Sequence, residues 1–434
     1  MNAGRWQNWA GNQSCVPVAV MQPISQDQIV ALVQRASSEG RRVKAYGAGH
    51  SFTDIACTDG YLVNLDRYDQ VLNVDTTTHR IKVQAGISIA RLGEELARHG
   101  LAQPNLGDIA YQSIAGAVST ATHGTGLKLG NIATQLCALT MVLADGRVVE
   151  FSPEKDLDEF RCAQVSLGAL GILSTVTLQC VPQFVLHSIE APRPLAEMLD
   201  RYAEFCETNQ HFEFFWFPHT DRVQAIRNNP VDEIPRPRGR VSEYLNDIVV
   251  ENHVFGLVQR AGRAQEKWIP SLNRFTTRML SHAETRDWSH RVFANPRLVR
   301  FVEMEYAIPR AAAVPAIRAL KSMIDGSDMR ISFPVEVRVG AGDDAVLSTA
   351  HGRETTYIAV HVFQGMAYDC YFHEIEAIMN GFEGRPHWGK MHYQTKDTLA
   401  HRYPRFKEFV ALRDKLDPNG LFRNAYLDRV LGGA

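Results

Sequence analysis

Three short stretches in the first 180 residues restrict what this chain can fold into: YGAGHSF at 46–52, SIAGAVSTATHGTG at 113–126 and SLGALGI at 166–172. All three are almost free of bulk. In the first, Gly47 and Gly49 permit positive φ and close backbone approach, and the exposed amides of such a turn suit a pyrophosphate. A plain β-turn fits the same residues. The second stretch is either a tight core crossing or a backbone channel around a long flat ligand. Three such stretches in one N-terminal region favour the channel, and with it a large dinucleotide-like cofactor. The fingerprint G-x-G-x-x-G is not met, because its third glycine is Phe52, so a Rossmann NAD site is disfavoured. His50 stands directly after the second glycine, facing whatever the turn holds.

Around these turns the first 182 residues mix helices and short strands. Residues 23–36 read as a helix: Ser25 and Gln28 are spaced as a capping box, and Ile29, Leu32, Val33 and Ala36 recur at helical spacing. Strands are expected at 42–46, 61–65 and 81–86, and an amphipathic helix at 88–100. A hairpin over 133–151 turns at Asp145–Gly146, and a strand at 171–181 is closed by Pro182. A second style follows. HFEFFWFP (211–218) alternates like a strand, 227–245 is rich in Pro, Asn and Arg and reads as a long loop, and FPVEVRVG (333–340) and TYIAVHVF (356–363) are strands. From 395 the chain is helical, broken at Pro404, and ends in the turn DPNG (417–420). At 434 residues, two domains are expected.

The net charge of −2, without a basic stripe, argues against nucleic acid. The N-terminal residues lack a signal-peptide pattern, and the longest apolar run, 137–144, is strand-sized, so no membrane-spanning segment is expected. Seven cysteines form no C-x-x-C pair, which disfavours a disulfide framework or a structural zinc site. They read as small buried residues in a reducing compartment, and a soluble cytoplasmic protein is the expectation.

Two later segments carry candidate chemistry. In EVR, Glu336 and Arg338 share one strand face, with Val335, Val337 and Val339 on the other. A surface ion pair is the commoner reading, but His361 sits inside the apolar run YIAVHVF, and two strands with inward polar groups form a pocket floor. In GRPHWGKMHY (384–393), His387 and His392 lie outside the usual ligand spacing and lack a third partner, so no metal is expected. Lys390 reads better as a cation held near a cofactor. G-x-S-x-G is absent, so a hydrolase nucleophile elbow is excluded.

Taken together, GHSFTDIACTDG (49–60), ATHGTG (121–126), SLGALGI, VTLQCVPQF (176–184), FFWFPH (214–219), EMEYAIPR (303–310), FPVEVR, RPHWGK (385–390) and KLDPNGLF (415–422) resemble the flavin-dependent aldonolactone oxidoreductases. That family includes L-gulono-1,4-lactone oxidase and dehydrogenase, D-arabinono-1,4-lactone oxidase and the related alditol oxidases. The resemblance covers nearly the whole chain. It implies an α+β, two-domain vanillyl-alcohol-oxidase (PCMH-type) fold: an FAD-binding domain over 1–182, a substrate domain over 183–384 built on an antiparallel sheet flanked by helices, and a C-terminal segment, 385–434, that completes the active site and packs back on the first domain.

The cofactor it implies is FAD, joined through His50 to the flavin 8α-methyl group. The implied FAD contacts are Tyr46, Gly47, Ala48, Gly49, His50, Ser51 and Phe52; Gly107; Ser113, Gly116, Ala117, Ser119, Thr120, Thr122, His123 and Gly124; Gly171 and Ile172; and His387 and Lys390. Catalysis would fall to Arg338 and Lys390 as cations, Glu336 orienting Arg338 and binding sugar hydroxyls, and His361 holding a substrate oxygen or taking its proton. The implied reaction oxidises the hydroxyl carbon beside the carbonyl of a sugar-derived 1,4-lactone by hydride transfer to flavin N5, giving ascorbate or an analogue, with oxygen or another acceptor reoxidising the flavin. Alditol-oxidising relatives carry a threonine where this chain has Phe363, which favours a compact lactone over an open polyol. Gly107 replaces an alanine that excludes oxygen in plant dehydrogenases, which leans toward an oxidase, although some bacterial relatives with the glycine prefer other acceptors. D-arabinono-1,4-lactone or alditol oxidation and a non-catalytic flavin-binding redox sensor are the competing readings.

Overall fold

Ser25 begins the first long helix, Gln26–Ser38, by accepting from the Gln28 amide. The Gln28 side chain reaches back to the amide of Ile24 (2.9 Å), one residue further out than a capping box requires. Ile29, Leu32, Val33 and Ala36 are buried in one core with Val43, on the strand that leads into the glycine turn, and Tyr61 and Val63, on the strand beside it. The computed structural model describes residues 4–236, 255–294 and 299–433.

Besides the short pairing of Trp6–Gln7 with Ser14–Cys15, two small sheets come from the first 180 residues. One is parallel, in the order Ala19–Met21, Tyr61–Asn64, Val43–Tyr46. The other is antiparallel and five-stranded, ordered Val148–Phe151, Leu136–Val142, Ile172–Gln179, Arg80–Gln84, Val71–Asp75. The hairpin within it turns at Gly146, whose φ of +85° is open to glycine.

Between 185 and 386 the chain builds one antiparallel sheet of eight strands. Its order is Ala283–Trp288, Val185–Pro194, Arg222–Val231, His211–Trp216, Val335–Gly340, Thr355–Phe363, Phe301–Pro309, Arg385–Pro386. Period-2 alternation gives its four central strands two unlike faces. Phe212, Phe214, Val335, Val337, Ile358, Val360, Met304 and Tyr306 enter a core shared with the helices Ala313–Asp325 and Asp369–Gly381. The intervening positions put Glu213, Glu336, Arg338, His361, Glu303 and Glu305 together on the opposite face.

Three sequence expectations need correction. The loop expected over 227–245 begins as strand, because Arg222–Val231 pairs along its whole length with Val185–Pro194. Pro230 is tolerated because pairing on the other side stops at Asn228, leaving an open edge. Residues 237–254 of that loop lie outside the described residues. The chain also does not finish at DPNG. A short helix, Ala425–Leu431, follows and buries Tyr426, Leu427, Val430 and Leu431 in the core of the first lobe. Finally, of the seven cysteines only Cys162, Cys180 and Cys206 are buried, and Cys370 is exposed. No helix among the described residues is long and apolar enough to cross a membrane.

Candidate active site

The Val43–Tyr46 strand delivers the turn 47–51 into a cleft. Gly47 is required there because a Cβ would sit 2.1 Å from Ser113 Oγ. That contact is where the first two small-residue stretches meet. Gly49 has φ +69°. The turn is fixed from outside: Trp9 N donates to Gly49 O (2.9 Å), Asn8 Nδ2 to Ser51 O (2.9 Å), and Phe52 N to Gly389 O (2.7 Å). Among the described residues the amides of Ala48, Gly49, His50 and Ser51 donate to no group of the chain. They are free to face an anion.

The cleft encloses about 930 Å³ of non-protein space, its open mouth included. Of the residues expected at a cofactor, Tyr46 through Ser51, Ser113, Gly116, Ser119, Thr120 and Gly171 line it. Ala117 and Ile172 instead pack into the two cores of the first lobe. Lys44, absent from the sequence expectations, lies on the wall and donates to Gly168 O and Phe422 O, each at 3.2 Å. Burial pushes its ammonium down to about 7. His50 Nδ1 is buried without a partner among the described residues, as is Thr122 Oγ1. Burial, and then the Lys390 charge, push the His50 imidazole down to about 4, so the ring is neutral at pH 7.

Lys390 comes from the loop after the edge strand Arg385–Pro386. Its Nζ is 2.5 Å from Glu303 Oε2 and 3.9 Å from Glu305 Oε2, and it stands over the Phe52 ring. Glu303 also faces His361, Oε1 to Nε2 at 3.5 Å, and Glu336 Oε2 is 3.9 Å from the same nitrogen. Burial alone would raise the Glu303 carboxyl, but Lys390 and His361 outweigh it and hold it down at about 2. The same balance holds Lys390 above the ordinary lysine value, with Glu303 and Glu305 overcoming burial.

Arg338 is gripped by three carboxylates: Asp108 from the first lobe (2.5 Å), Glu213 (2.6 Å) and Glu336. Burial pushes Glu213 up to about 7; Arg338 opposes this, while Asp108 and Glu336 add to it. Burial raises Glu336 as well.

His123 reaches the same floor from the first lobe. Its Nδ1 faces the Gly124 carbonyl at 2.8 Å, which can only accept, so Nδ1 carries a hydrogen. Its Nε2 faces Glu305, and the ring stacks on Tyr357 with centroids 3.5 Å apart. Burial would raise the Glu305 carboxyl, but His123, with His387 and Lys390 behind it, holds it well below the ordinary carboxylate value. His387 accepts from Gly389 N, and burial pushes it down to about 4. Gly107 lies beside this cluster: a Cβ there would be 3.0 Å from the His123 carbonyl.

All four expected catalytic residues, Glu336, Arg338, His361 and Lys390, therefore share one buried network. Sequence reasoning passed over Asp108, Glu213, Glu303 and Glu305. The signal for three of them was present: each is a carboxylate at an alternating position of an apolar strand, the pattern that exposed Glu336 and Arg338.

A family profile described as D-arabinono-1,4-lactone oxidase matches residues 176–430, and one described as an FAD binding domain matches residues 17–152. The L-gulono-1,4-lactone dehydrogenase of Mycobacterium tuberculosis is 44% identical, over 98% of this chain and 99% of its own. The L-gulonolactone oxidase of Bos taurus is 35% identical, over 98% of each chain. Among solved structures, a solvent-stable cholesterol oxidase superposes with a TM-score of 0.82 at 20% identity, covering 99% of this chain and 97% of that one. That last likeness is one of fold.

Proposed function

The chain belongs to the D-arabinono-1,4-lactone oxidase family of FAD-dependent oxidoreductases, with the two-domain vanillyl-alcohol-oxidase type of fold, and from that premise we propose that it oxidises a sugar-derived 1,4-lactone of the L-gulono-1,4-lactone type at the hydroxyl carbon beside the carbonyl. One observation carries the reading. The glycine turn and the sheet floor converge on Lys390, whose charge acts both on His50 and on Glu303, Glu305 and Glu336. The lobe boundaries at 182 and 384 belong to the same reading.

The residues present fit FAD. Four free amides and the hydroxyls of Ser113, Ser119 and Thr120 suit a pyrophosphate along the cleft. When bound, the flavin supplies the hydride-accepting ring that no side chain provides. His50 is suited to a covalent link, because its ring is neutral and its buried Nδ1 has no other partner among the described residues.

The chain's own part in the chemistry follows from the floor. His361 Nδ1 faces the Pro334 carbonyl at 3.3 Å and so carries the ring hydrogen. Its Nε2 edge faces Glu303 and Glu336, so a proton leaving a substrate hydroxyl can be received within this cluster, by the ring or by a carboxylate. Glu303 and Glu336 stabilise an imidazolium at His361, while Arg338 and Lys390 favour negative charge developing on substrate oxygens. L-gulono-1,4-lactone would yield a keto-lactone that tautomerises to ascorbate.

The family profile's description favours D-arabinono-1,4-lactone as a second substrate, and kcat/KM over a panel of lactones and polyols separates the two. The named relatives include both an oxidase and a dehydrogenase, and the close approach of His123 gives Gly107 a packing reason to be glycine whichever acceptor is used. Anaerobic stopped-flow mixing with each lactone, followed by oxygen, tests the reading. Bleaching of the flavin by a 1,4-lactone is expected. A flavin that no lactone bleaches would leave a binding or sensing role. Acid precipitation should leave the colour with the protein, and His50→Ala should release it.

A further inference from the structure

The amphipathic helix Ile269–Met279 carries an apolar side that nothing among the described residues covers. At 3.6 residues per turn, positions 272, 275 and 279 fall in one line, and Trp268, which ends the 3-10 turn Glu266–Trp268 with near-helical φ and ψ, extends it. Trp268 is 57% exposed, Phe275 54% and Met279 69%, and Leu272 between them is half-buried. Positions 267, 274 and 278 fall in a second line about a quarter-turn away, and these are Lys267, Arg274 and Arg278, all exposed. The inward side holds Ile269 and Asn273, both buried, and Asn273 Nδ2 donates to Pro218 O (3.0 Å) and Ile331 O (2.9 Å). These bonds fix the helix on the sheet lobe with its apolar line outward. Scattered apolar residues on a surface need no explanation, but a continuous line beside a basic flank does.

We infer that this helix docks the protein on an anionic phospholipid surface. Charge selects that occupant. Over 255–280, five basic residues (Arg260, Arg263, Lys267, Arg274 and Arg278) stand against the single acidic Glu266, in a chain whose net charge is −2. A basic amphipathic helix with tryptophan and phenylalanine on its apolar side lies in the plane of a bilayer, its rings among the acyl-chain boundary and its cations at the headgroups. At 11 residues it is about 16 Å long, too short to span a bilayer, so the attachment is peripheral.

Flotation of the full-length, flavin-loaded protein with phosphatidylcholine vesicles, with and without about one-third phosphatidylglycerol, tests this. Binding to the anionic vesicles alone is expected, weakening as salt rises. Two double substitutions, W268A/F275A and R274E/R278E, should each lower the bound fraction at least about tenfold by removing the apolar and the ionic parts of the attachment. None of these four side chains belongs to the Lys390 network or lines the cofactor cleft, so flavin absorbance and turnover of a soluble lactone should be unchanged, which separates this inference from the lactone reading. No binding to either vesicle overturns it, as does binding that both variants leave intact. So does self-association in sedimentation velocity that W268A/F275A abolishes without vesicle binding, since the line would then seat a second copy of the chain.

Discussion

At the scale of single residues, Glu303 decides how the network works. Among the described residues it is the one carboxylate paired with both Lys390 and His361, which come from separate segments of the chain. Glu303→Gln keeps the shape and removes the charge. The imidazolium formed at His361 then loses its nearer counter-ion, and kcat should fall roughly 100-fold, the low end of what a positioned acid–base group contributes, while KM changes little. Lys390 loses its strongest raising influence, so the basic limb of the kcat/KM profile should move to lower pH. A merely structural role for Glu303 would lower activity at every pH without moving that limb. Glu303 was quoted in the sequence as part of EMEYAIPR and still given no role. Its neighbours along the strand explain why. Met304, Tyr306 and Ile308 make the segment read as a buried strand, and which face a buried carboxylate meets depends on a partner 58 residues away, His361.

Among elements, the short C-terminal helix was the least legible, for a physical reason. Seven residues span two turns, too few for a 3.6-residue period to show, whereas the 13-residue Gln26–Ser38 helix was visible from its cap and its four buried positions. The strands with clean alternation, 335–340 and 355–363, were legible with their faces, and the glycine turn was legible with its histidine. What the short helix does is nonetheless specific. Its N-cap Asn424 accepts from Leu427 N with Oδ1, and its Nδ2 donates toward the carbonyls of Asp54 (3.1 Å), Ile55 (3.0 Å) and Cys57 (2.9 Å). Ile55 and Ala56 line the cleft, so this cap ties the end of the chain to the cofactor wall. Asn424→Ala should cost about 1–2 kcal/mol from the lost cap alone, with more from the carbonyls left unpaired. Thermal unfolding should show a lower midpoint, and flavin retention through gel filtration should fall with it. A lower midpoint with full flavin retention would confine Asn424 to the helix.

For the whole molecule, the two lobes meet through charge as well as packing, and that junction should respond to pH. Arg338 of the second lobe is held by Asp108 of the first together with Glu213 and Glu336. Three buried carboxylates on one guanidinium cannot all ionise cheaply, and Glu213 takes the strain, raised to about 7 from an ordinary 4.5. In the folded state Glu213 keeps its proton to higher pH than in the unfolded chain, so the stability it contributes is complete below about 4.5 and is lost as pH rises through about 7. Glu303 acts with the opposite sign. Its folded value near 2 means that its contribution is complete above about 4.5 and is lost only as pH falls toward 2. Between pH 5 and 8 Glu303 is therefore constant, while Glu213 lowers stability as pH rises and His50 and His387, held near 4 against an ordinary 6.5, raise it up to about pH 6.5. Glu213→Gln keeps a hydrogen-bonding group beside Arg338 but cannot ionise, so its thermal midpoint, measured relative to that of the parent, should climb as pH rises from about 5 to 8. If both proteins show the same pH dependence, the proton resides elsewhere in the cluster, on Glu336, which burial also raises. The matching Glu336→Gln variant would then locate it by the same measurement.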